Sequence, residues 1–402
     1  MVKTESRQKL ENIVVNITLL LLFFLPQSSL QYVAIIGVMV LCVWSNFKRL
    51  HLDWLKIAIV IAIAISFLIN SATNAEGQGI APKTMVRCTM ILLMLVFFPF
   101  VKSHKIYPAT IYFAILYLLF SQLCYFFHLT PFWKYYDIIY PYNGDIYIWS
   151  SEYLSKQYMN LMVRFGGLYH NPNQCARAYT FLLAIMYVEW GNLENGIFKK
   201  FVLAASLLGV LLTGSRTGLL AYLLMLLFFY YKNINSENKV RNVIIFTIVG
   251  IVLMFLYNNI QIRSVDLSGG MDHSFGTKIG FLYDYLTNEQ SGLYTLFGHF
   301  NLELDAVAHY IPFGTMDAEW GFAIFGYGFV FFALVILYYL RLMKSFMGTK
   351  YVMLNFWIIW SISGTVLFSF SASMCWFFVL SLYTSRMNDE KDLEENKITI
   401  SN

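Results

Sequence analysis

The stretch RFGGLYHNPNQCARAYTFLLAIMYVEWGNLENGIFKKFVLAASLLGVLLTGSRTG, residues 164 to 218, decides how the chain is read. Two polar clusters, Arg164 to Arg177 and Thr213 to Gly218, stand at the ends of apolar runs long enough to cross a bilayer. Asn171 suits a helix N-cap and Pro172 the first helical position. Ser215 repeats that logic as an N-cap, with Arg216 in the first turn behind it. The helix macrodipole disfavours a cation at such an end. An arginine there makes sense where an anion is held between it and the free backbone N–H groups. Snorkelling of the same arginines to lipid phosphates is the plainer alternative.

Working outward, 58% of the residues are hydrophobic, 13% are charged, and the mean hydropathy is +0.59. These values exclude an ordinary soluble protein, and apolar runs recur along nearly all 402 residues. The expected fold is therefore one all-α, polytopic membrane domain over 1–402. The first apolar run is followed by Pro26-Gln27-Ser28-Ser29, not by a small-residue cleavage site, and reads as a span. Cys42, Cys88, Cys124, Cys175 and Cys375 show neither metal-ligand spacing nor a disulfide framework and read as small core residues. No dinucleotide fingerprint, P-loop or zinc motif is found, so no cofactor and no metal are expected. The net charge of +5 gives no case for nucleic acid.

About twelve spans are predicted, at 11–25, 30–46, 52–70, 84–101, 107–127, 173–190, 198–213, 216–231, 242–259, 318–340, 351–368 and 370–384. With the N-terminus inside, Lys48/Arg49, Lys102/Lys105, Lys199/Lys200, Lys232/Lys239/Arg241 and Arg341/Lys344/Lys350 all fall in cytoplasmic connections. The charged tail, 386–402, falls there too. The arrangement implied is a membrane crossed many times, with both termini on the cytoplasmic side. The basic residues left outside are Lys83, Arg87, Lys134, Lys156, Arg164, Arg177, Arg216, Arg263 and Lys278, a set rich in arginine. Arginine is the residue suited to forked recognition of phosphate or carboxylate.

Two long connections fall outside, at 128–172 and 260–317. The first carries Trp133, Tyr135, Tyr136, Tyr140, Tyr142, Tyr147, Trp149, Tyr153 and Tyr158. The second holds Gly269-Gly270, a short helix expected around 277–287, Gly298-His299 and His309. Loops of this length are functional or disordered, and these are too aromatic for disorder. Stacking on sugar rings would explain the aromatics; anchoring at the membrane interface is the alternative.

The pieces RFGGLYHNPNQCA at 164–176, TGSRTGLLAYL at 213–223, YTLFGHFN at 294–301 and MDAEWGFAIFGYGFVFF at 316–332 resemble the O-antigen polymerase and O-antigen ligase superfamily of bacterial membrane glycosyltransferases. The resemblance covers about 160–340 and includes the order of the pieces and their placement against the spans. It implies the C-type membrane glycosyltransferase fold and metal-independent, inverting transfer of a glycan from undecaprenyl pyrophosphate at the outer membrane boundary. Partners implied are the undecaprenyl-pyrophosphate-linked oligosaccharide and the chain-length regulator and flippase of the same pathway. The chain departs from the ligases, which carry a histidine-asparagine pair where this one has Asp317-Ala318-Glu319. It also has Gly298-His299 where relatives carry a Gly-x-Gly turn. The family's outer-loop arginine corresponds either to Arg263 or to Lys278.

Attack on a sugar pyrophosphate needs a base at the acceptor hydroxyl and cations on the leaving group, with charge stabilisation the larger effect. Arg164, Arg177 and Arg216 supply the cations, together with Arg263 or Lys278, and Asn171, Asn173 and Ser215 frame the helix starts. Asp317 is the first choice of base, at the outer start of the tenth span, with Glu319, His299 and His309 as rivals. An N-cap role for Asp317 is the structural alternative. Gly326 and Gly328 within that span would allow close helix approach or a lipid-lined crevice; simple helix packing is the plainer explanation. The function expected is a polysaccharide polymerase that moves a growing chain (O-antigen, capsule or exopolysaccharide) onto a lipid-linked repeat unit. A ligase to lipid A core and, third, a lipid-linked oligosaccharide transporter are the alternatives.

Overall fold

In the computed structural model the described residues are 2–24, 53–73, 106–127, 129, 166–167, 169, 172–190, 193, 196–233, 292–298, 324 and 326–345. Among them the secondary structure is helical throughout, with no strand. The helices are α1 (Val2–Phe24), α2 (Trp54–Thr73), α3 (Pro108–Phe126), α4 (Pro172–Val188), α5 (Gly196–Leu212), α6 (Arg216–Asn233), α7 (Gly292–Phe297) and α8 (Tyr327–Ser345). The expected spans 30–46, 84–101, 242–259, 351–368 and 370–384, the helix around 277–287 and nearly all of the first long loop lie outside the described residues.

Local chemistry explains most of the helix ends. α1 begins at Val2 rather than at residue 11, because no glycine or proline interrupts its charged first turns. It stops at Phe24, just before Leu25-Pro26, where the proline ring disfavours helical backbone on its predecessor. Asp53 caps α2: its Oδ1 accepts the N–H groups of Leu55 at 3.1 Å and Lys56 at 3.0 Å. α3 and α4 each open on a proline, whose absent N–H would have had no intrahelical acceptor. α5 ends at Thr213-Gly214, where Gly214 takes a φ of 63°.

Two compact units emerge. Unit 1, comprising 1–45, 99–265 and 375–402, contains α1, α3, α4, α5 and α6. Here α3 packs on α1, α4 and α5, while α4 and α5 both pack on α6. A buried polar chain ties three of these helices together. Tyr179 of α4 donates its hydroxyl to Gln122 Oε1 of α3 at 2.8 Å, and Gln122 Nε2 donates to the Gly209 carbonyl of α5 at 3.0 Å. The Tyr179 ring occupies the space a Cβ on Gly209 would need, so α4 and α5 pass close only because that position is glycine. Ser206 and Tyr222 join α5 to α6 through their hydroxyls.

Unit 2, comprising 46–98 and 266–374, contains α2, α7 and α8, each packed on the other two. α2 and α8 run antiparallel. Asp53 at the start of α2 pairs with Arg341 near the end of α8 at 3.4 Å, and Asn70 near the end of α2 bonds Gly298, which abuts Gly326 and Tyr327. Asp53 and Asn70, which make these two contacts, are thus roughly 25 Å apart at 1.5 Å per residue.

Trp54–Ala72 is long and apolar enough to cross a membrane, with a mean hydropathy of 2.2. Shorter apolar helical stretches are Pro108–Cys124, Thr217–Leu226 and Tyr327–Tyr338. The exposure of α2 is inverted relative to a helix in water. Ile57, Ile61 and Leu68 are 45%, 51% and 66% exposed, whereas Ser66 and Asn70 are 0% and 3% exposed. A helix that turns its branched aliphatics outward and its amide inward suits an apolar surrounding.

Candidate functional site

The two polar clusters of residues 164–218 meet in unit 1. α4 begins at Pro172 and α6 at Arg216, and these two starts lie side by side. A Cβ on Gly218, third residue of α6, would run into the Cβ of Ala176, fifth residue of α4. Ser215 is the N-cap of α6: its Oγ accepts the Gly218 N–H at 3.0 Å, and its carbonyl accepts the Leu219 N–H at 2.8 Å. Thr213 Oγ1 in turn accepts the Ser215 N–H at 3.2 Å, which shapes the turn from α5 into the cap. The N–H groups of Arg216 and Thr217 have no acceptor within the helix. Two adjacent helix starts therefore present backbone donors and positive dipole ends at one place.

The remaining pieces of this end follow the chain. Gly167 lies against the end of α3, where a Cβ at its φ of 59° would strike Ser121 Oγ, and Gly166 lies against Tyr169 and Pro172. A turn closes from the Gly166 carbonyl to the Tyr169 N–H at 3.0 Å, bringing the chain to Pro172. The opposite end of α4 is marked by Lys199, which donates to the carbonyls of Trp190 at 3.1 Å and Leu193 at 3.3 Å. Its Nζ lies 3.8 Å from the centre of the Trp190 ring. Unit 1 thus has a lysine-bearing end and a helix-start end.

Of the site residues expected from sequence, Asn173, Arg177 and Ser215 are described, and all three belong to this end of unit 1. Asn173 is half-buried in the first turn of α4, next to the proline. Arg177 is buried, 5% exposed, and engaged with other groups of the protein. Arg216 opens α6, but its side chain lies outside the described residues, as do Arg164, Asn171, Arg263, Lys278, His299, His309, Asp317 and Glu319.

In unit 2 the described part of the span expected at 318–340, residues 324 and 326–340, is not one regular helix. The backbone takes π-type turns at Ile324 and Gly326, ahead of α8 at Tyr327. Gly328 then departs from helical geometry, with φ 85° and ψ 166°. The reason is α7, a helix the sequence reading did not anticipate. Its last residues, Leu296 and Phe297, lay their backbone where a Cβ on Gly328 would stand. Gly298, at a φ of 79°, ends α7 and donates its N–H to the Tyr294 carbonyl at 2.7 Å. The close approach allowed by Gly328 is thus backbone against backbone, whereas a Cβ on Gly326 would meet nothing. Asn70 was also missed; the signal available was a lone amide in an apolar run, four residues after Ser66 and off the Ile57–Ile61–Ile65 stripe.

Neither a family model, nor a curated protein, nor a solved structure matches the chain.

Proposed function

We propose that the chain is a polytopic membrane glycosyltransferase of about twelve spans, a polysaccharide polymerase in a bacterial cytoplasmic membrane with both termini inside. The single observation that carries the reading is the pairing of the α4 and α6 starts through Gly218 and Ala176. Paired helix starts beside Arg177 and Arg216 suit a pyrophosphate better than a lone snorkelling arginine would. The inverted exposure of α2 supports the membrane setting.

In the proposed reaction the donor is an undecaprenyl-pyrophosphate-linked glycan and the acceptor is a lipid-linked repeat unit. The acceptor hydroxyl oxygen bonds the anomeric carbon as the bond from that carbon to the pyrophosphate oxygen breaks. The hydroxyl proton goes to a carboxylate, for which Asp317 is the first choice ahead of Glu319, His299 and His309, and the electron pair leaves with the pyrophosphate. The helix starts of α4 and α6, with Arg164, Arg177, Arg216 and either Arg263 or Lys278, neutralise the leaving charge. Removing one such donor lowers rate by about 10²–10³-fold. A chain-length regulator and a flippase would work in the same pathway.

Asp317→Asn keeps the shape and any capping bond while removing most of the basicity. In cells, that variant should be inserted normally, abolish polymer and leave lipid-linked single repeat units to accumulate. Normal polymer from Asp317→Asn removes it as the base; normal polymer from a deletion of the whole chain removes the polymerase reading. Topology is read separately, by labelling Asp145→Cys and Gln290→Cys with an impermeant reagent in intact cells. Both should label, and protection of both until the membrane is opened contradicts the arrangement.

A further inference from the structure

Asn70 lies three residues before the end of α2, inside the stretch that is apolar enough to cross a membrane, and it is 3% exposed. A buried amide among aliphatic side chains persists only where its hydrogens have acceptors. Both are placed here. Nδ2 donates to the Ser66 carbonyl one turn back at 2.7 Å, which fixes the side chain against its own helix, and to the Gly298 carbonyl at 3.1 Å. Gly298 is held from both sides of its backbone, its N–H by Tyr294 and its carbonyl by Asn70. The same turn is wedged against Gly326 and Tyr327 at the break of α8.

α7 has six residues, too few for a helix to stand by itself in any solvent that competes for its hydrogen bonds. Its persistence depends on what grips it, and Asn70 supplies a directional grip from α2. The next residue in the chain is His299, followed by the segment that carries His309 and Asp317.

We propose that Asn70 is a positioning residue for the transfer reaction: its amide clamps the Gly298 turn into the break of α8 and so fixes the point from which the chain enters the segment bearing the candidate bases. The consequence for rate rests on the glycosyltransferase reading above; the clamp itself does not. Misplacing a reacting group by an ångström through a distant change lowers rate by about 10²-fold.

The test uses the full chain in lipid nanodiscs, comparing wild type with Asn70→Leu, which keeps size without a donor, and Asn70→Gln, which keeps the donor. Hydrogen exchange in the 292–298 peptide should speed up about tenfold in Asn70→Leu, the loss of one net hydrogen bond, with α4 and α5 unchanged. Given lipid-linked repeat units, Asn70→Leu should lose about 10²-fold in kcat at unchanged KM for the donor, and Asn70→Gln should recover part of it. Unchanged exchange in 292–298 overturns the clamp. Faster exchange with normal kcat, or a loss confined to KM, overturns the positioning role. A wild-type chain that forms no glycosidic bond sinks the glycosyltransferase reading and the rate consequence with it, while exchange still decides the clamp.

Discussion

Gly218 and Gly328 both sit in the first turn of a helix, and the two are glycine for different reasons. In unit 1, Gly218 keeps an ordinary helical role, and what would meet its Cβ is a methyl group, that of Ala176. In unit 2, Gly328 takes a φ of 85°, and what would meet its Cβ is the main chain of Leu296 and Phe297. A side-chain neighbour can be trimmed by mutation; a backbone neighbour cannot. One junction therefore brings two helix starts together, and the other holds the end of α7 against the kinked start of α8.

The largest effect expected from this contrast is at Gly328. Gly328→Ala combines an unfavourable φ with overlap on backbone and should destabilise unit 2 by about 3 kcal/mol. Thermal unfolding of the purified full chain reads it, and a melting temperature within a degree of wild type would contradict the described break. Next comes Tyr179→Phe, which removes the buried hydrogen bond from Tyr179 to Gln122 Oε1 and should cost about 2 kcal/mol. Gly218→Ala should cost about 1–3 kcal/mol, and here Ala176→Gly in the same chain should restore most of it. No second change elsewhere in side chains should rescue Gly328→Ala in that way. The smallest effect is at Arg341→Ala. The pair with Asp53 is 53% and 26% exposed at its two side chains, so its loss should shift stability by less than about 1 kcal/mol.

The contrast also marks what could be read from the chain alone. The helix start at Pro172 and the cap at Ser215 are local signals: a fixed φ and a side-chain oxygen matched to a nearby N–H. Both stand where the residues place them. Helix α7 carries no such signal, because GLYTLF is too short for a periodic pattern and is stabilised by contacts from α2 and α8. The break at Gly328 is equally non-local; 318–340 reads as one apolar run until α7 is laid against Gly328. The side-by-side placement of Gly218 and Ala176 is tertiary as well, although each small residue is visible in its own helix. The candidate bases Asp317, Glu319, His299 and His309 belong to the sequence between Gly298 and α8 and lie outside the described residues.

The central claim, glycan transfer from a lipid pyrophosphate held at the starts of α4 and α6, is tested most directly with purified full chain. It is supplied with lipid-linked repeat units alone, in EDTA, as wild type, Arg216→Ala and Arg216→Lys. The account predicts a ladder of chain lengths from wild type, loss of the ladder by about 10²-fold or more in Arg216→Ala, and poor rescue by lysine, which lacks the planar fork. No glycosidic bond from wild type, a product of one fixed length in place of a ladder, or an undiminished ladder from both Arg216 variants would contradict it.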